Sequence, residues 1–135
     1  MTDQNKKHIL YIDDDDDDRQ LVKEAILEID HSLQLMEAPG GNEGLEFLKK
    51  AAQDKNLPCL VILDMNMPGM DGRETLIAIK NEKKYAKIPV VIFTTSSSKL
   101  DQTFCEKYGV EMITKPLNFS NLNTTIRKML IYCHP

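Results

Sequence analysis

The stretch Leu60–Gly72, which reads LVILDMNMPGMDG, constrains the fold of this chain more than any other segment. Its apolar run Leu60–Leu63 ends abruptly at Asp64, before a turn rich in proline and glycine. A short apolar run bounded by turn residues is typical of a strand that is buried on both faces of a parallel sheet. Asp64 would lie where this strand leaves the core, a position that suits a reactive acid as well as a residue that merely caps the turn.

Strands and helices alternate along the rest of the chain. Further apolar runs predict strands at His8–Ile12, Leu33–Leu35, Val90–Phe93 and Val110–Ile113. Between and after these runs, apolar residues recur every three or four positions, which is the spacing of one face of a helix. This repeated strand–helix unit predicts a parallel sheet with helices on both faces, and we expect one domain spanning residues 1–135.

The composition of the predicted strands indicates their order in the sheet. The first, third and fourth strands are apolar throughout, whereas the second and fifth contain polar residues. Mixed strands belong at the edges of a parallel sheet, which favours a doubly wound, five-stranded, flavodoxin-like (βα)5 fold with strand order 2-1-3-4-5. Ligands bind at the carboxyl ends of the strands in this α/β fold.

Polar residues indicate where three of the helices begin. Asp15–Asp18 follow the first strand, and we expect their carboxylates to cap the first helix and to favour the positive end of its dipole. Arg19 is expected to offset part of their mutual repulsion. Asn42 is predicted to cap the second helix, and Ser97 or Ser98 the fourth.

The charge and hydrophobicity of the chain exclude several classes of function. The net charge is −4, and no cluster of lysine and arginine exists that could follow a phosphate backbone, so we expect no direct binding to nucleic acid. The apolar segment near the N-terminus is too short for a signal peptide or a membrane span. We therefore expect a cytoplasmic protein without membrane insertion.

The cysteines and histidines show no disulfide or metal-ligand pattern. Cys59, Cys105 and Cys133 lie far apart, form no CxxC motif and are odd in number. We therefore expect three free thiols in a reducing cytoplasm. The histidines likewise lack the spacing of metal ligands.

Polar residues end four of the predicted strands and should meet at one edge of the sheet. Asp13 and Asp14 follow the first strand, Asp64 the third, Thr94 the fourth and Lys115 the fifth. Carboxylates held within about 5 Å of each other repel strongly, so either their pKa values rise or a cation lies among them. All-oxygen ligands suit a hard ion such as Mg²⁺. With a lysine and a hydroxyl they can neutralise and orient a phosphoryl group, and Asp64 would be the nucleophile that forms an acyl phosphate.

These residues stand within motifs that together resemble the receiver domain of two-component response regulators. The motifs are IDDD, LDMNMPGMDG, FTTS and TKP, at the ends of the first, third, fourth and fifth strands. The resemblance implies a stand-alone, chemotaxis-regulator-like receiver in which Asp64 accepts a phosphoryl group from a sensor histidine kinase or a histidine phosphotransfer protein. Because the chain ends soon after the fifth helix, we expect no output domain. The signal would then pass to a downstream protein target or onward in a phosphorelay.

The resemblance also implies roles for the residues around Asp64. It implies Mg²⁺ as the cofactor, with Asp14 in direct contact, Asp13 acting chiefly through water and Asn66 through its backbone carbonyl. Thr94 and Lys115 would each bind a phosphoryl oxygen. The protein would not be an enzyme in the usual sense, since its only reactions would be its own phosphorylation and dephosphorylation.

Positions next to the site bear on how long the phosphoryl group lasts and how it signals. Asn66 and Ser96 resemble the two variable positions that flank the attacking water in receivers, so we expect them to govern phosphoryl lifetime in part. Lys-Pro peptides such as Lys115–Pro116 are often cis in the family, and the sequence leaves this bond undecided. Met112 stands where receivers usually have an aromatic residue, so we expect the loop Thr95–Lys99 to carry the signal instead.

Three alternative interpretations remain. A calcium loop would use Asp13, Asp15, Asp17 and Glu24, but Asp18 stands where such a loop needs glycine, and a strand precedes it. A phosphatase of the haloacid dehalogenase type also has an aspartate nucleophile at a strand end. Its pattern has a second aspartate two residues later, where this chain has asparagine. A pseudo-receiver, which is an interaction module that never takes phosphate, would keep the fold without the chemistry.

Overall fold

The structure, a computed structural model, describes residues 6–134, and for Phe119 only the backbone. Its strands are β1 (Lys7–Ile12), β2 (Leu33–Ala38), β3 (Leu60–Leu63), β4 (Val90–Thr94) and β5 (Glu111–Thr114). They form a five-stranded parallel sheet in the order β2-β1-β3-β4-β5. The predicted fold class and strand order are therefore confirmed.

Helices connect and follow the strands. In the described part of the chain they are α1 (Asp16–Ile29), α2 (Gly41–Gln53), α3 (Gly72–Asn81), α4 (Lys99–Lys107) and α5 (Leu122–Leu130). Short 3₁₀ helices lie at Lys83–Tyr85, Phe119–Asn121 and Ile131–Cys133. None of the helices within residues 6–134 is long and apolar enough to cross a membrane.

The core lies in two layers, one on each face of the sheet. Because side chains alternate along a strand, neighbouring residues of β1 face opposite layers. Ile9 and Tyr11 pack in the layer that contains residues of α1 and α5, whereas Leu10 and Ile12 pack in the layer of α2 and α3. Every residue of β3 is fully buried, as its apolar sequence predicts for a central strand.

The register of the sheet brings the residues that follow the strands to one edge. Ile12 pairs with Leu63, so the residues after β1 and β3 emerge side by side. The ends of β4 and β5 are aligned by the pairing of Thr94 with Thr114. Since parallel strands point their carboxyl ends in the same direction, four strands present the residues that follow them at a common edge.

The predicted caps of the first and fourth helices are confirmed. The Asp15 side chain accepts hydrogen bonds from the backbone N–H groups of Asp17 and Asp18 at the start of α1. Ser98 is the N-cap residue of α4, and its hydroxyl accepts from the N–H of Asp101 at 3.4 Å. These three bonds satisfy N–H groups that the first turn of a helix leaves without a partner.

The predicted cap of the second helix is wrong. α2 begins at Gly41 after the N-cap residue Gly40, so Asn42 lies inside the first turn. A Cβ at Gly41 would lie 2.2 Å from Thr75 Oγ1 on α3. The start of α2 is therefore set by a close approach between two helices, which a local capping pattern does not reveal.

The edge strands have the mixed character that their sequences predict. Buried and partly exposed residues alternate in the first half of β2. In β5 no residue is fully buried, and the strand begins at Glu111, one position later than predicted. These observations fit strands whose outer edge has no neighbouring strand within the described residues.

The expectation of three free thiols is wrong. Cys59 and Cys133 form a disulfide across a sequence separation of 74 residues, with their Cα atoms 5.1 Å apart. Cys59 directly precedes β3, and Cys133 ends the 3₁₀ helix that follows α5. Cys105 is a free, buried thiol. Residues so distant in sequence meet only because α5 packs back on the sheet, so cysteine spacing alone could not indicate the bond.

Candidate functional site

The three carboxylates predicted at the sheet edge lie together. Asp13, Asp14 and Asp64 each offer an oxygen, and these oxygens lie within 4.8 Å of one another. Asp13 is completely buried and Asp64 is 7% exposed, whereas Asp14 is exposed to solvent. The aligned strand ends position them, because the backbone N–H of Asp64 donates to the carbonyl of Ile12 at 3.0 Å.

Lys115 reaches into this acidic cluster from the end of β5. Its Nζ donates to Asp13 Oδ2 at 2.7 Å, to Asp18 Oδ2 at 2.8 Å and to Asp64 Oδ2 at 3.3 Å. The lysine side chain is 11% exposed, so solvent screens these pairs weakly. The Lys115–Pro116 bond is trans, since no peptide bond among residues 6–134 is cis.

Burial and neighbouring charges shift the proton affinities of the site. Burial disfavours the charged form of Lys115, but hydrogen bonds to Asp13 and Asp18 and the charge of Asp64 outweigh it, so the lysine pKa is raised. The pKa of Asp64 is also raised, first by burial and then by the charge of Asp13, while Lys115 and the Thr94 hydroxyl oppose the rise. The negative charge of Asp64 therefore carries a penalty that a further cation would relieve.

Tyr11 is a site residue that the sequence reasoning missed. Its hydroxyl donates to Asp13 Oδ2 at 2.7 Å, and both residues are completely buried. Burial and the adjacent charge of Asp13 raise the pKa of Tyr11, so its hydroxyl remains a donor. The sequence could have indicated this contact, because Tyr11 and Asp13 are two residues apart and such side chains point to the same side of an extended segment.

The position of Asp18 corrects the prediction that Asp15–Asp18 serve only the first helix. Asp15 caps α1, and Asp16 pairs with Arg19, as expected. Asp18, however, lies in the first turn on the side that faces the sheet edge, and it accepts a hydrogen bond from Lys115. Asp18 therefore belongs to the site, which the strand-end pattern could not show because this residue lies within a helix.

Thr94 ends β4 and is completely buried beside the acidic cluster. Its Oγ1 accepts from the backbone N–H of Ser96 at 3.2 Å. The Ser96 hydroxyl in turn donates to Asp101 Oδ2 at 2.6 Å. The loop after β4 is thus bonded to the site at one end and to α4 at the other.

Asp101 and Arg73 form an ion pair that the sequence did not indicate. Asp101 is 4% exposed, and its Oδ1 accepts from the guanidinium of Arg73. Arg73 belongs to α3, and its guanidinium carbon also lies 5.9 Å from the centre of the Phe104 ring on α4. The pair therefore joins the first turns of two helices that follow neighbouring strands.

Gly72 determines how closely the loop after β3 approaches Asp64. Its N–H donates to the Met65 carbonyl at 2.8 Å, and a Cβ on Gly72 would lie 2.3 Å from the Asp64 carbonyl oxygen. Gly69 in the same loop has a φ of 73°, which glycine adopts readily. Asn66 lies exposed between Asp64 and this turn. The proline–glycine segment thus folds tightly beside the proposed acceptor.

Met112 lies away from the acidic cluster. It is half-buried in β5, pairs with Ile92 of β4 and packs against the core layer of α2 and α3. A flexible thioether suits this gap-filling position at the sheet edge.

The donor set of the cluster fits a hard divalent cation. The carboxylates of Asp13, Asp18 and Asp64 contact the Lys115 ammonium, and Asp14 lies beside Asp13 and Asp64, so negative charge exceeds positive charge at this edge of the sheet. Oxygen ligands of this kind are those that Mg²⁺ and Mn²⁺ prefer.

Comparison with known proteins places nearly all of the chain in one family. A family model of the response regulator receiver domain matches residues 9–127. The response regulator Rcp1 of Synechocystis sp. is 35% identical over 121 residues, which cover 86% of this chain and 81% of that protein. The sensor histidine kinase CheAY of Helicobacter pylori is 31% identical over 123 residues, or 90% of this chain, but the chain spans only 15% of its length.

Solved structures agree with the sequence relatives. The phosphorylated cyanobacterial phytochrome response regulator RcpA superposes with a TM-score of 0.85 at 29% identity, covering 93% of this chain and 92% of that one. The Mn²⁺-bound form of Rcp1 superposes with a TM-score of 0.81 at 30% identity, covering 92% and 91%.

Proposed function

This chain belongs to the response regulator receiver domain family, and from that premise we propose that it receives a phosphoryl group on Asp64. The observation that carries the proposal is a buried carboxylate 3.3 Å from the Lys115 ammonium, clustered with Asp13 and Asp14. In this role the domain signals through its phosphorylation state and does not turn over a separate substrate.

The reaction is a phosphoryl transfer from a phosphohistidine. A carboxylate oxygen of Asp64 attacks phosphorus, an O–P bond forms as the P–N bond breaks, and the leaving imidazole takes up a proton. Lys115 and Thr94 would bind the phosphoryl oxygens. The Lys115 ammonium 3.3 Å from Asp64 Oδ2 and the buried Thr94 at the end of the neighbouring strand β4 support these roles. Hydrolysis of the acyl phosphate by water returns the carboxylate and inorganic phosphate. Asn66 and Ser96 act on this step only by positioning water, since neither is a strong general base.

We propose Mg²⁺ as the cofactor of this reaction. Asp13, Asp14 and Asp64 would hold it together with the backbone carbonyl of Asn66, and their oxygens are close enough to share one ion. When bound, the ion neutralises negative charge on the phosphoryl group. The Mn²⁺-bound form of the relative Rcp1 supports a divalent cation in the family.

The proposed partners are a phosphohistidine donor and a downstream protein. The donor would be a sensor histidine kinase or a histidine phosphotransfer protein, and a relative named as a sensor histidine kinase supports this class. The net charge of −4 gives no reason to propose nucleic acid as a direct partner.

Incubation with acetyl phosphate and Mg²⁺ tests the proposal by intact-protein mass spectrometry. We expect wild type to gain one hydroxylamine-labile phosphate and Asp64→Asn to gain none. Asp17→Asn is the matched control, because it removes an exposed carboxylate of the same acidic run, and it should label like wild type. Equal labelling of Asp64→Asn would refute the assignment, and an unlabelled wild type would indicate a pseudo-receiver.

A further inference from the structure

We propose that Asp18 is a positioning residue of the phosphoryl site, which holds the Lys115 ammonium so that one of its N–H groups points at Asp64. That N–H group would then bind a phosphoryl oxygen without first having to be ordered. The inference rests on the proposed phosphorylation of Asp64. The contact between Asp18 and Lys115 exists in the unphosphorylated protein, however, so it can be tested separately.

The Lys115 ammonium has a carboxylate partner for each of its N–H donors. A lysine ammonium carries three such donors. Its Nζ lies 2.7 Å from Asp13 Oδ2, 2.8 Å from Asp18 Oδ2 and 3.3 Å from Asp64 Oδ2. The bond to Asp64 is the longest of these, so it is the one most easily exchanged for a bond to a phosphoryl oxygen. Asp13 and Asp18 thus fix the ammonium, and Asp64 takes the donor that remains.

The carboxylate of Asp18 is available for this contact because it does not cap its own helix. Asp18 is the third residue of α1, a position from which a glutamate can accept a hydrogen bond from the N-cap N–H. Glu74 does so in α3, where its Oε1 accepts from the N–H of Asp71 at 3.2 Å. In α1 the N-cap N–H, that of Asp15, donates instead to Asp13 Oδ1 at 3.0 Å. Capping of α1 therefore does not explain the direction in which the Asp18 carboxylate points.

The backbone that carries Asp18 is held in place on both sides. Its N–H donates to Asp15 Oδ1 at 3.1 Å. The next residue, Arg19, donates to the carbonyl oxygen of Asp13 at 2.5 Å and to Glu37 Oε1 on β2 at 3.3 Å. The first turn of α1 is therefore fixed against the ends of β1 and β2, so the Asp18 carboxylate is presented from a fixed position.

Lys115 needs such support because its side chain is long and flexible. Ordering a lysine costs side-chain entropy, and a donor that is ordered beforehand avoids this cost during phosphoryl transfer. Asp18 also carries a negative charge, which would repel an incoming phosphoryl group. Since the Asp18 side chain is 31% exposed, nearby water weakens this repulsion, whereas the 2.8 Å hydrogen bond to Lys115 is direct. We therefore expect positioning to outweigh repulsion.

Two substitutions at Asp18 separate positioning from repulsion. Asp18→Ala removes both the charge and the acceptor oxygen, whereas Asp18→Asn removes the charge and keeps an acceptor oxygen. We expect Asp18→Ala to accelerate exchange of the Lys115 ammonium protons with water, as followed by NMR of the unphosphorylated protein. It should also weaken binding of the phosphoryl mimic beryllofluoride about fivefold, the usual effect of one net hydrogen bond. Asp18→Asn should bind the mimic more tightly than Asp18→Ala.

Asp17→Ala is the matched control, because Asp17 is an exposed aspartate in the same turn of α1. It should leave both the Lys115 ammonium and beryllofluoride binding unchanged. Unchanged ammonium exchange or undiminished beryllofluoride binding in Asp18→Ala would overturn the proposal, and tighter binding in both Asp18 variants would overturn it in favour of repulsion. If wild type binds no beryllofluoride, the proposed function fails, and ammonium exchange still decides whether Asp18 holds Lys115.

Discussion

At the scale of single residues, burial separates aspartates that look equivalent in the sequence. Asp13 and Asp14 are neighbours, yet Asp13 is completely buried with bonds to Tyr11 and Lys115, while Asp14 faces solvent. A buried carboxylate must have its oxygens satisfied, whereas an exposed one exchanges freely with water. Asp13 is thus suited to hold the site together and Asp14 to bind an incoming ion.

Tyr11→Phe tests the buried hydrogen bond to Asp13. The ring stays, but a 2.7 Å bond to a buried carboxylate is lost, so we expect the free energy of unfolding to fall by about 1–2 kcal/mol. Urea unfolding at neutral pH measures the change.

Tyr132→Phe is the control for that experiment, because Tyr132 donates to Glu111 Oε1 at 2.6 Å with both partners more exposed. Its loss should cost less than about 0.5 kcal/mol. Equal losses in the two variants would show that burial does not strengthen the Tyr11 bond.

Asp64→Asn tests whether the negative charge of the Asp64 carboxylate destabilises the folded protein. Because its folded pKa is raised above 3.8, the folded state binds this proton more tightly than the unfolded chain does. The contribution of this proton to the free energy of unfolding is complete below the pKa that Asp64 has in the unfolded chain. It is lost as pH rises through the pKa that Asp64 has in the folded protein. A side chain that cannot ionise avoids this loss, so Asp64→Asn should be more stable than wild type at neutral pH.

The stability advantage of Asp64→Asn should vanish as pH falls below 3.8, where wild type is itself protonated at this residue. Urea unfolding of both proteins across the pH range measures it. A variant less stable than wild type at neutral pH would contradict the raised pKa.

At the scale of elements, two loops determine the shape of the site. The loop after β3 turns tightly enough for Gly72 to contact the Asp64 backbone, and the loop after β4 is held through Ser96. The strands supply the common edge, but these loops decide how near the helices come to it.

Gly72→Ala tests the close approach after β3. The new Cβ would lie 2.3 Å from the Asp64 carbonyl oxygen and 2.6 Å from Met65 Cα, and neither backbone atom can yield cheaply. We expect a loss of about 1–3 kcal/mol in unfolding free energy and weaker beryllofluoride binding.

Gly40→Ser serves as the control for Gly72→Ala. A Cβ at Gly40 would meet only the flexible end of Glu43, at 2.8 Å, and a serine can cap α2. Unfolding free energy should change by less than about 0.5 kcal/mol. If Gly72→Ala were equally mild, the loop would not depend on that contact.

Met112→Ala tests whether β5 carries the signal. The side chain packs against the core layer of α2 and α3, and Met112 pairs with Ile92 of β4. We therefore do not expect it to switch between two positions when Asp64 binds a phosphoryl mimic. We expect the amide shifts of α4 on beryllofluoride binding to persist in the variant, as NMR can show. Loss of the α4 response while Asp64 still binds the mimic would make Met112 the switch.

At the scale of the whole molecule, the disulfide connects the sheet to the C-terminal turn. Cys59 precedes the central strand and Cys133 follows α5, so the bond closes a loop containing most of the fold. Cys59 precedes the amino end of β3, whereas Asp64 follows its carboxyl end, so the disulfide lies at the opposite end of this strand from the acidic cluster.

Reduction of this bond should lower stability substantially. For a separation of 74 residues, the chain-entropy estimate is about 4 kcal/mol. Urea unfolding with and without a thiol reductant measures it, and Cys133→Ser should be as unstable as the reduced protein and insensitive to reductant. Three titratable thiols in unreduced, unfolded wild type would show that the bond does not form.

Much of the fold was predictable because it depends on local patterns. The apolar runs before Asp13, Asp64 and Thr94 predict buried strands, and mixed β2 and β5 predict edges, which together give the observed order. The Asp15 and Ser98 caps were also predictable, since a cap acts within one helical turn. The wrong cap at Asn42 arose where packing between two helices outweighs local preference.

The sequence by itself determined the residues that end the strands, and parallel strands necessarily gather such residues at one edge. It therefore predicted the cluster of Asp13, Asp14, Asp64 and Lys115. The tertiary structure alone decided which other side chains reach that edge, since contacts between distant elements have no local signature. For this reason three contacts were not predictable from the sequence and depend on how the helices pack on the sheet. They are the contact of Asp18 with Lys115, the Arg73–Asp101 ion pair and the Cys59–Cys133 disulfide.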